Sequence, residues 1–264
     1  MTFDMQPFAT VREGFTIRGE KYVPSERRLP FPVIISHGFT GCMKETRPYA
    51  WYLASHGIVT YVYDFCGGGL HTTSDGDYHT QMTPLTEIED LRAVLAYVQA
   101  DDRTADGTPA CPVLVGCSQG GFVSALLAPE VADQIRALAL LYPALCIPDD
   151  ARAGSMQFLT FDPQDVPDVL APDHKLWISG DYARSVMDID VFERIIRYTG
   201  DVLIMHGTQD SIVPVRYAQQ GREAYEAAGA RVTFYLVEGC DHTFYEDYFD
   251  EAVPHLRAFL CGLA

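Results

Sequence analysis

The chain has 264 residues, 48% hydrophobic and 21% charged, which suffices for one large domain or two small ones around a sizeable core and excludes intrinsic disorder. Its 19 Lys and Arg against 36 Asp and Glu leave a formal charge of −17, which repels phosphate backbones and anionic lipid and argues against nucleic-acid or membrane-surface binding. No apolar run approaches the roughly 20 residues of a membrane helix, and MTFDMQPFATVREGF lacks the basic-then-apolar pattern of a signal peptide, so a soluble cytoplasmic protein is expected.

In chain order, Phe8 to Val23 alternates apolar and polar residues around Glu13-Gly14, the pattern of an antiparallel hairpin. Beyond the Pro-rich stretch LPFP the pattern changes to short apolar runs separated by helix-length segments. The runs are Val33–Ser36, Ile58–Tyr63, Pro112–Gly116, Ala137–Tyr142, Val202–Met205 and Val232–Val237. Short, β-branched runs that are apolar on both faces suit a parallel sheet covered by helices. Between them, Thr86-Glu87-Ile88-Glu89 reads as a capping box, followed by the helical stripe Ile88, Leu91, Val94, Leu95 and Val98. A second helix is expected over Tyr217–Ala228, closed by Gly229, and a third over His255–Leu260. From Cys146 to Tyr198 no clean βα unit is visible, and a connection of that length reads as a lid or binding insertion. The expected division is therefore a core of residues 1–145 and 199–264 with residues 146–198 as the lid.

Seven cysteines without a C-x-x-C pair read as reduced thiols, most of them small core residues. The loop His71–His79 holds two His and two Asp, but the spacing fits no zinc pattern and predicts an ordinary polar loop, so no metal site is expected. Gly67-Gly68-Gly69 lacks the context of a phosphate cradle.

The chemistry concentrates at Val113-Leu114-Val115-Gly116-Cys117-Ser118-Gln119-Gly120-Gly121, an apolar strand, then G-x-S-x-G, then a helix-compatible run from Phe122 to Leu127. A nucleophile on a sharp strand-to-helix turn has a strained backbone, and its neighbours at −2 and +2 must be small. Such a chain resembles an α/β-hydrolase, a three-layer fold in which serine, acid and histidine follow in that order. Asp210, in the loop after Val202–Met205, and His242, after the last strand, occur in that order. Serine needs a base to take its proton, His242, and the base needs an acid to fix its tautomer, Asp210. Asp241 is the alternative acid, but a neighbour in sequence rarely faces the adjacent side chain. His37-Gly38-Phe39-Thr40-Gly41 resembles the oxyanion motif of the fold, which implies the backbone N–H groups of Phe39 and Gln119 as oxyanion donors, with His37 holding the loop. His206 reads as a satisfied structural histidine, and Cys117 as a packing residue directed away from the nucleophile.

Within the fold the chain is similar to small bacterial cinnamoyl and feruloyl esterases. The matching pieces are His37-Gly38-Phe39-Thr40-Gly41, Asp64-Phe65, Ser74-Asp75-Gly76, Leu85-x-Glu87-x-Glu89-Asp90, Gly116-x-Ser118-Gln119-Gly120-Gly121, His206-Gly207-x-x-Asp210-x-x-Val213 and Glu238-Gly239-x-Asp241-His242. The resemblance implies an acyl-enzyme mechanism on a small, hydroxycinnamoyl-type ester without a cofactor. It also implies that an early lid Asp, Asp150 or in the competing register Asp149, and a late lid Tyr, Tyr182, hydrogen-bond the phenolic hydroxyl. The chain departs from the family at Gly67–His71 and at Cys117, where His is usual. The alternatives are a thioesterase or small acyl-peptidase of the same fold, and a non-catalytic ligand receptor on the scaffold. A homodimer is compatible with the sequence but not specified by it.

Overall fold

The alternating N-terminal segment folds into two long antiparallel strands, β1 (Phe3–Arg12) and β2 (Phe15–Pro24). They are joined at Glu13 and Gly14 with φ of 48° and 89°, the two positive values a tight hairpin turn demands. The computed structural model describes residues 2–104 and 107–264. It continues with β3 (Val33–Ser36), α1 (Met43–Ser55), β4 (Thr60–Tyr63), α2 (Pro84–Asp101), β5 (Val113–Cys117), α3 (Gln119–Leu127) and β6 (Ala137–Leu141). Between β6 and β11 (Asp201–Gly207) lie three short helices, α4 (Ile147–Ala153), α5 (Asp181–Arg184) and α6 (Val191–Ile195). Two small ribbons accompany them, β7 (Ser155–Met156) with β8 (Leu159–Thr160) and β9 (Val169–Leu170) with β10 (Ile178–Ser179). The chain closes with α7 (Arg216–Ala227), β12 (Arg231–Val237) and α8 (Asp247–Gly262).

The main sheet runs β1-β2-β4-β3-β5-β6-β11-β12, antiparallel at β1/β2 and β2/β4 and parallel elsewhere. Successive strand residues face opposite sides, so each buried strand feeds two cores. Ile34, Tyr61, Leu114, Leu138 and Ile204 point to one side, where α2, α3 and α7 pack, whereas Ile35, Val62, Val115, Ala139 and Leu203 point to the other, beneath α1 and α8. This is the three-layer α/β architecture expected from the apolar runs, arranged as the resemblance to the α/β-hydrolases implied. All nine residues of α3 are buried, which accounts for a helix with no polar face. The insertion has no core of its own: Ala151, Leu159, Tyr182, Val186, Ile195 and Tyr198 belong to the same apolar cluster as α2 and α3. The 71–79 loop docks it, because His79 stacks on Trp177 at 4.2 Å and its Nδ1 donates to the Trp177 carbonyl at 2.6 Å.

Most boundaries differ from the sequence expectation by a residue or two, the hairpin begins at Phe3 and not at Phe8, and two helix starts move by about a turn or more. α2 starts one turn earlier than the motif at Thr86–Glu89 suggests. Its N-cap is Thr83, whose hydroxyl accepts from Thr86 N while Thr86 Oγ1 accepts from Thr83 N, and Pro84 fills the first helical position, where a missing N–H costs nothing. α8 begins at Asp247 and runs through Pro254, because Ala252, Val253, Leu256 and Leu260 bury one face against the sheet and outweigh the lost hydrogen bond. The cysteines form no disulfide among the described residues; five are buried, and Cys111 and Cys261 are exposed. No helix among those residues is long and apolar enough to cross a membrane.

Candidate active site

Ser118 occupies the turn between β5 and α3 with φ 52° and ψ −117°, a conformation that L-residues tolerate only under constraint. The constraint is visible on both sides. Ser118 N donates to Leu141 O at 3.0 Å, and the Ser118 carbonyl accepts from Gly121 N and Phe122 N. A Cβ at Gly116 would strike the Gly120 backbone, and one at Gly120 would strike the His37 carbonyl. The small residues at −2 and +2 are therefore steric requirements of this turn.

Three loops at the carboxyl ends of parallel strands converge here. The Ser118 hydroxyl lies 2.9 Å from His242 Nε2, and His242 Nδ1 lies 2.8 Å from Asp210 Oδ2. A carboxylate facing Nδ1 keeps the proton on that nitrogen and leaves Nε2 free to accept from Ser118. Asp210 Oδ1 accepts from Ile212 N at 3.0 Å and Val213 N at 2.7 Å. Burial alone would raise the Asp210 carboxyl. The hydrogen bonds from His206 and His242, the charge of His242 and the Val213 N–H outweigh it and hold the group far below the usual carboxylate range. Asp241 does not touch the imidazole: its Oδ1 accepts from Ser211 N, Ser211 Oγ and His242 N, bracing the acid loop against the base loop.

His206 departs from its expected role as a satisfied structural residue. Fully buried, its Nε2 is 2.9 Å from Val213 O and 3.0 Å from Asp210 Oδ2, while Nδ1 has no partner among the described residues. It is a second imidazole on the acid. The signal was its position at the end of β11, four residues before Asp210.

His37 holds the first loop. Its Nε2 accepts from Phe65 N at 3.1 Å, so that nitrogen is bare and Nδ1 carries the proton, donated to Gly38 O at 2.9 Å. Burial lowers its pKa and keeps it neutral. The backbone N–H groups of Phe39 and Gln119 make no intramolecular hydrogen bond among the described residues. Cys117 is buried, its thiol pushed up to about 12 by burial, and is inert as a nucleophile.

The insertion places its two candidate aspartates differently. Asp149 binds Tyr217 OH at 2.9 Å and Arg152 at 2.5 Å, whereas Asp150 lines a small cavity with Ser118, Gln119, Tyr182 and Leu159. Burial raises the Asp150 carboxyl. Tyr182 OH donates to Gln119 Oε1, and Gln119 Nε2 donates to Glu87 Oε2 at 2.8 Å. Glu87 is completely buried, with Oε1 unpartnered among the described residues. Sequence reading gave it no role, although it precedes Leu91, Val94 and Val98 at helical spacing on the buried face of α2. In the 71–79 loop, Asp75 accepts from Thr16 N and Arg18 and so ties the loop to β2, whereas Asp77 accepts from His79 N and Thr80 N and braces the turn itself.

Two cavities meet at Ser118. The cavity under the insertion measures about 30 Å³; the other, bounded by α1, the His242 loop and the start of α8, measures about 580 Å³. His242 lines only the larger one.

The chain is 28% identical to Est1E from Butyrivibrio proteoclasticus, solved with bound ferulic acid, with a TM-score of 0.83 over 97% of this chain and 98% of that one. It also shares its fold with the Pyrococcus furiosus esterase Pf2001, at 18% identity and a TM-score of 0.73 over 99% and 94% of the two chains, and with DcsB in complex with a substrate analogue, at 20% and 0.73 over 99% of each. No curated protein matches the chain. Residues 32–181, more than half of the sequence, match the family model described as serine aminopeptidase, S33. With a mostly parallel sheet of α/β-hydrolase topology around it, that match assigns the chain to the S33 serine hydrolase family of the α/β-hydrolase fold.

Proposed function

We propose that the protein is a serine carboxylester hydrolase working through an acyl-enzyme, and that the hydrogen-bonded line Ser118–His242–Asp210 carries the reaction. Ser118 Oγ attacks the ester carbonyl as His242 Nε2 takes its proton. Asp210 fixes the tautomer and stabilises the imidazolium. The free N–H groups of Phe39 and Gln119 receive the oxyanion, each contributing about 3–4 kcal/mol at the transition state. His242 then protonates the leaving oxygen, and a water attacks the acyl-enzyme by the same route in reverse.

The cavities divide the ester. An alcohol leaves beside the group that protonates it, and because His242 borders only the large cavity, the alcohol belongs there and the acyl group belongs under the lid. Asp150 and Tyr182 flank the acyl side and suit a hydroxylated aromatic acid, the reading also supported by the likeness to Est1E with its ferulic acid. A volume of about 30 Å³ holds one or two waters. A hydroxycinnamoyl group therefore requires the lid to move outward.

The test is a panel of p-nitrophenyl esters of increasing acyl length, methyl ferulate, an acyl-CoA and an aminoacyl p-nitroanilide, compared by kcat/KM for wild type and Ser118→Ala. Ester turnover lost in Ser118→Ala supports the assignment. Preference for the thioester or the anilide would transfer it to thioesterase or aminopeptidase chemistry, and retained activity in Ser118→Ala would remove the serine from the mechanism.

A further inference from the structure

We propose that the large cavity is a subsite for an alcohol carrying a positive charge, an amino alcohol or quaternary ammonium alcohol; this rests on the ester-hydrolase reading and names its substrate class. The cavity, about 580 Å³, has Ser118 and His242 at its floor, so whatever fills it is held against the reacting atoms. Its volume is that of a small-molecule site. Four carboxylates line it, Glu246, Asp247 and Asp250 exposed at the rim and Glu45 with its carboxyl raised by burial and by the charge of Asp64, and no Lys or Arg lines it. None of the four makes an ion pair or accepts a side-chain hydrogen bond among the described residues, in contrast to Glu20, Asp90 and Glu130, which all bind arginines.

The wall between floor and rim is aromatic. Tyr49 from α1 meets Phe249 from α8 edge to face, with ring centroids 4.9 Å apart. Aromatic faces under a negatively charged rim form the environment that attracts ammonium groups, by quadrupole and by Coulomb attraction together. The competing reading is that the acids serve only their helices, since Glu45 lies in the first turn of α1 and the others border the first turn of α8. Each helix N-terminus carries about half a positive charge, so two of them offset about one of the four negative charges. The remainder faces the cavity. A cationic alcohol would neutralise it, whereas an anionic one would be repelled.

The experiment compares acetylcholine with 3,3-dimethylbutyl acetate, which share the acyl group and shape and differ by one charge. For wild type at low ionic strength, kcat/KM for acetylcholine should be about tenfold higher, and the ratio should fall toward one in molar salt as the rim is screened. Replacing Glu246→Gln and Asp250→Asn together should lower the ratio at low salt at least threefold. Because both esters are measured on the same enzyme, a general loss of activity or folded fraction cancels. Equal efficiencies in wild type, or a ratio unmoved by both salt and substitution, would overturn the cation site. Calorimetry with choline and 3,3-dimethylbutanol on Ser118→Ala protein separates this failure from that of the ester-hydrolase reading. Selective choline binding with no ester turnover keeps the site and removes the reaction, and equal binding of the two alcohols removes the site.

Discussion

Asp210 and Glu87 are two buried carboxyls within one site region, displaced in opposite directions. For Asp210, burial is overcome by two imidazoles and two backbone N–H groups, and the folded pKa lies below the unfolded value near 3.8. Its contribution to stability is therefore complete above about pH 4 and is lost as pH falls below the unfolded value. For Glu87, burial and the charge of Asp90 outweigh the single bond from Gln119, and the folded pKa lies above the unfolded value near 4.5. The chain loses stability as pH rises through and beyond that value, because the unfolded state releases a proton that the folded state retains. The Glu87→Gln protein should accordingly melt higher than wild type at pH 7–8, with the gap closing near pH 4. The Asp210→Asn protein should melt lower at pH 7, with its deficit shrinking below pH 4. Thermal melts across pH on the three proteins check both signs. In catalysis, Asp210→Asn turns the imidazole toward the wrong tautomer, and kcat should fall by about 10³–10⁴-fold while the fold persists.

At the scale of elements, α2 illustrates what a residue pattern does and does not specify. The stripe Ile88, Leu91, Val94, Leu95 and Val98 identifies the helix and its buried face. The start was less legible because two overlapping Thr-x-x patterns compete, Thr83-x-x-Thr86 and Thr86-x-x-Glu89, and only the packing of Pro84 and the Thr83 turn selects the first. Thr83→Ala should cost about 1 kcal/mol. Glu89→Ala, which removes only an exposed contact to Arg92, should change stability by less than about 0.5 kcal/mol. Chemical denaturation of the two variants distinguishes the caps. α8 was half legible for a different reason: Pro254 reads locally as a boundary, and the burial that overrides it comes from sheet residues far away in sequence. Asp149 and Asp150 could not be told apart in sequence, since both suit the first turn of α4; the register appears only where Tyr217 reaches Asp149 from α7.

Across the whole molecule, the layers and the converging loops follow from local signals, because each apolar run is short, each functional loop begins at a strand end, and the G-x-S-x-G turn has steric demands that few sequences meet, whereas the order of the strands in the sheet has no local signature. The division of the surface between two cavities was not legible. The net charge of −17 gave no indication of where the acids gather, and the rim draws on α1 and on the start of α8, which lie about 200 positions apart in sequence. The Glu87–Gln119–Tyr182 contacts were hidden for the same reason, since they join residues of three separate elements, whereas His206–Asp210 lies within one quoted motif and needed only the fold of its loop.

The sharing of one apolar cluster by insertion and core would make the proposed acyl range and thermal resistance two ends of a single lever. Leu159 is fully buried in that cluster and also lines the small cavity beside Ser118, so under the proposed acyl placement the carbon atoms that would set chain-length selectivity are also those that hold the insertion down. Leu159→Ala should lower stability by about 2–5 kcal/mol and shift the kcat/KM optimum toward longer p-nitrophenyl esters. Melting temperature and chain-length profile, measured on the same preparation, should move together. Breeding this scaffold for bulkier acids would then begin with stabilising substitutions on the α1–α8 face, whose packing the lid does not share.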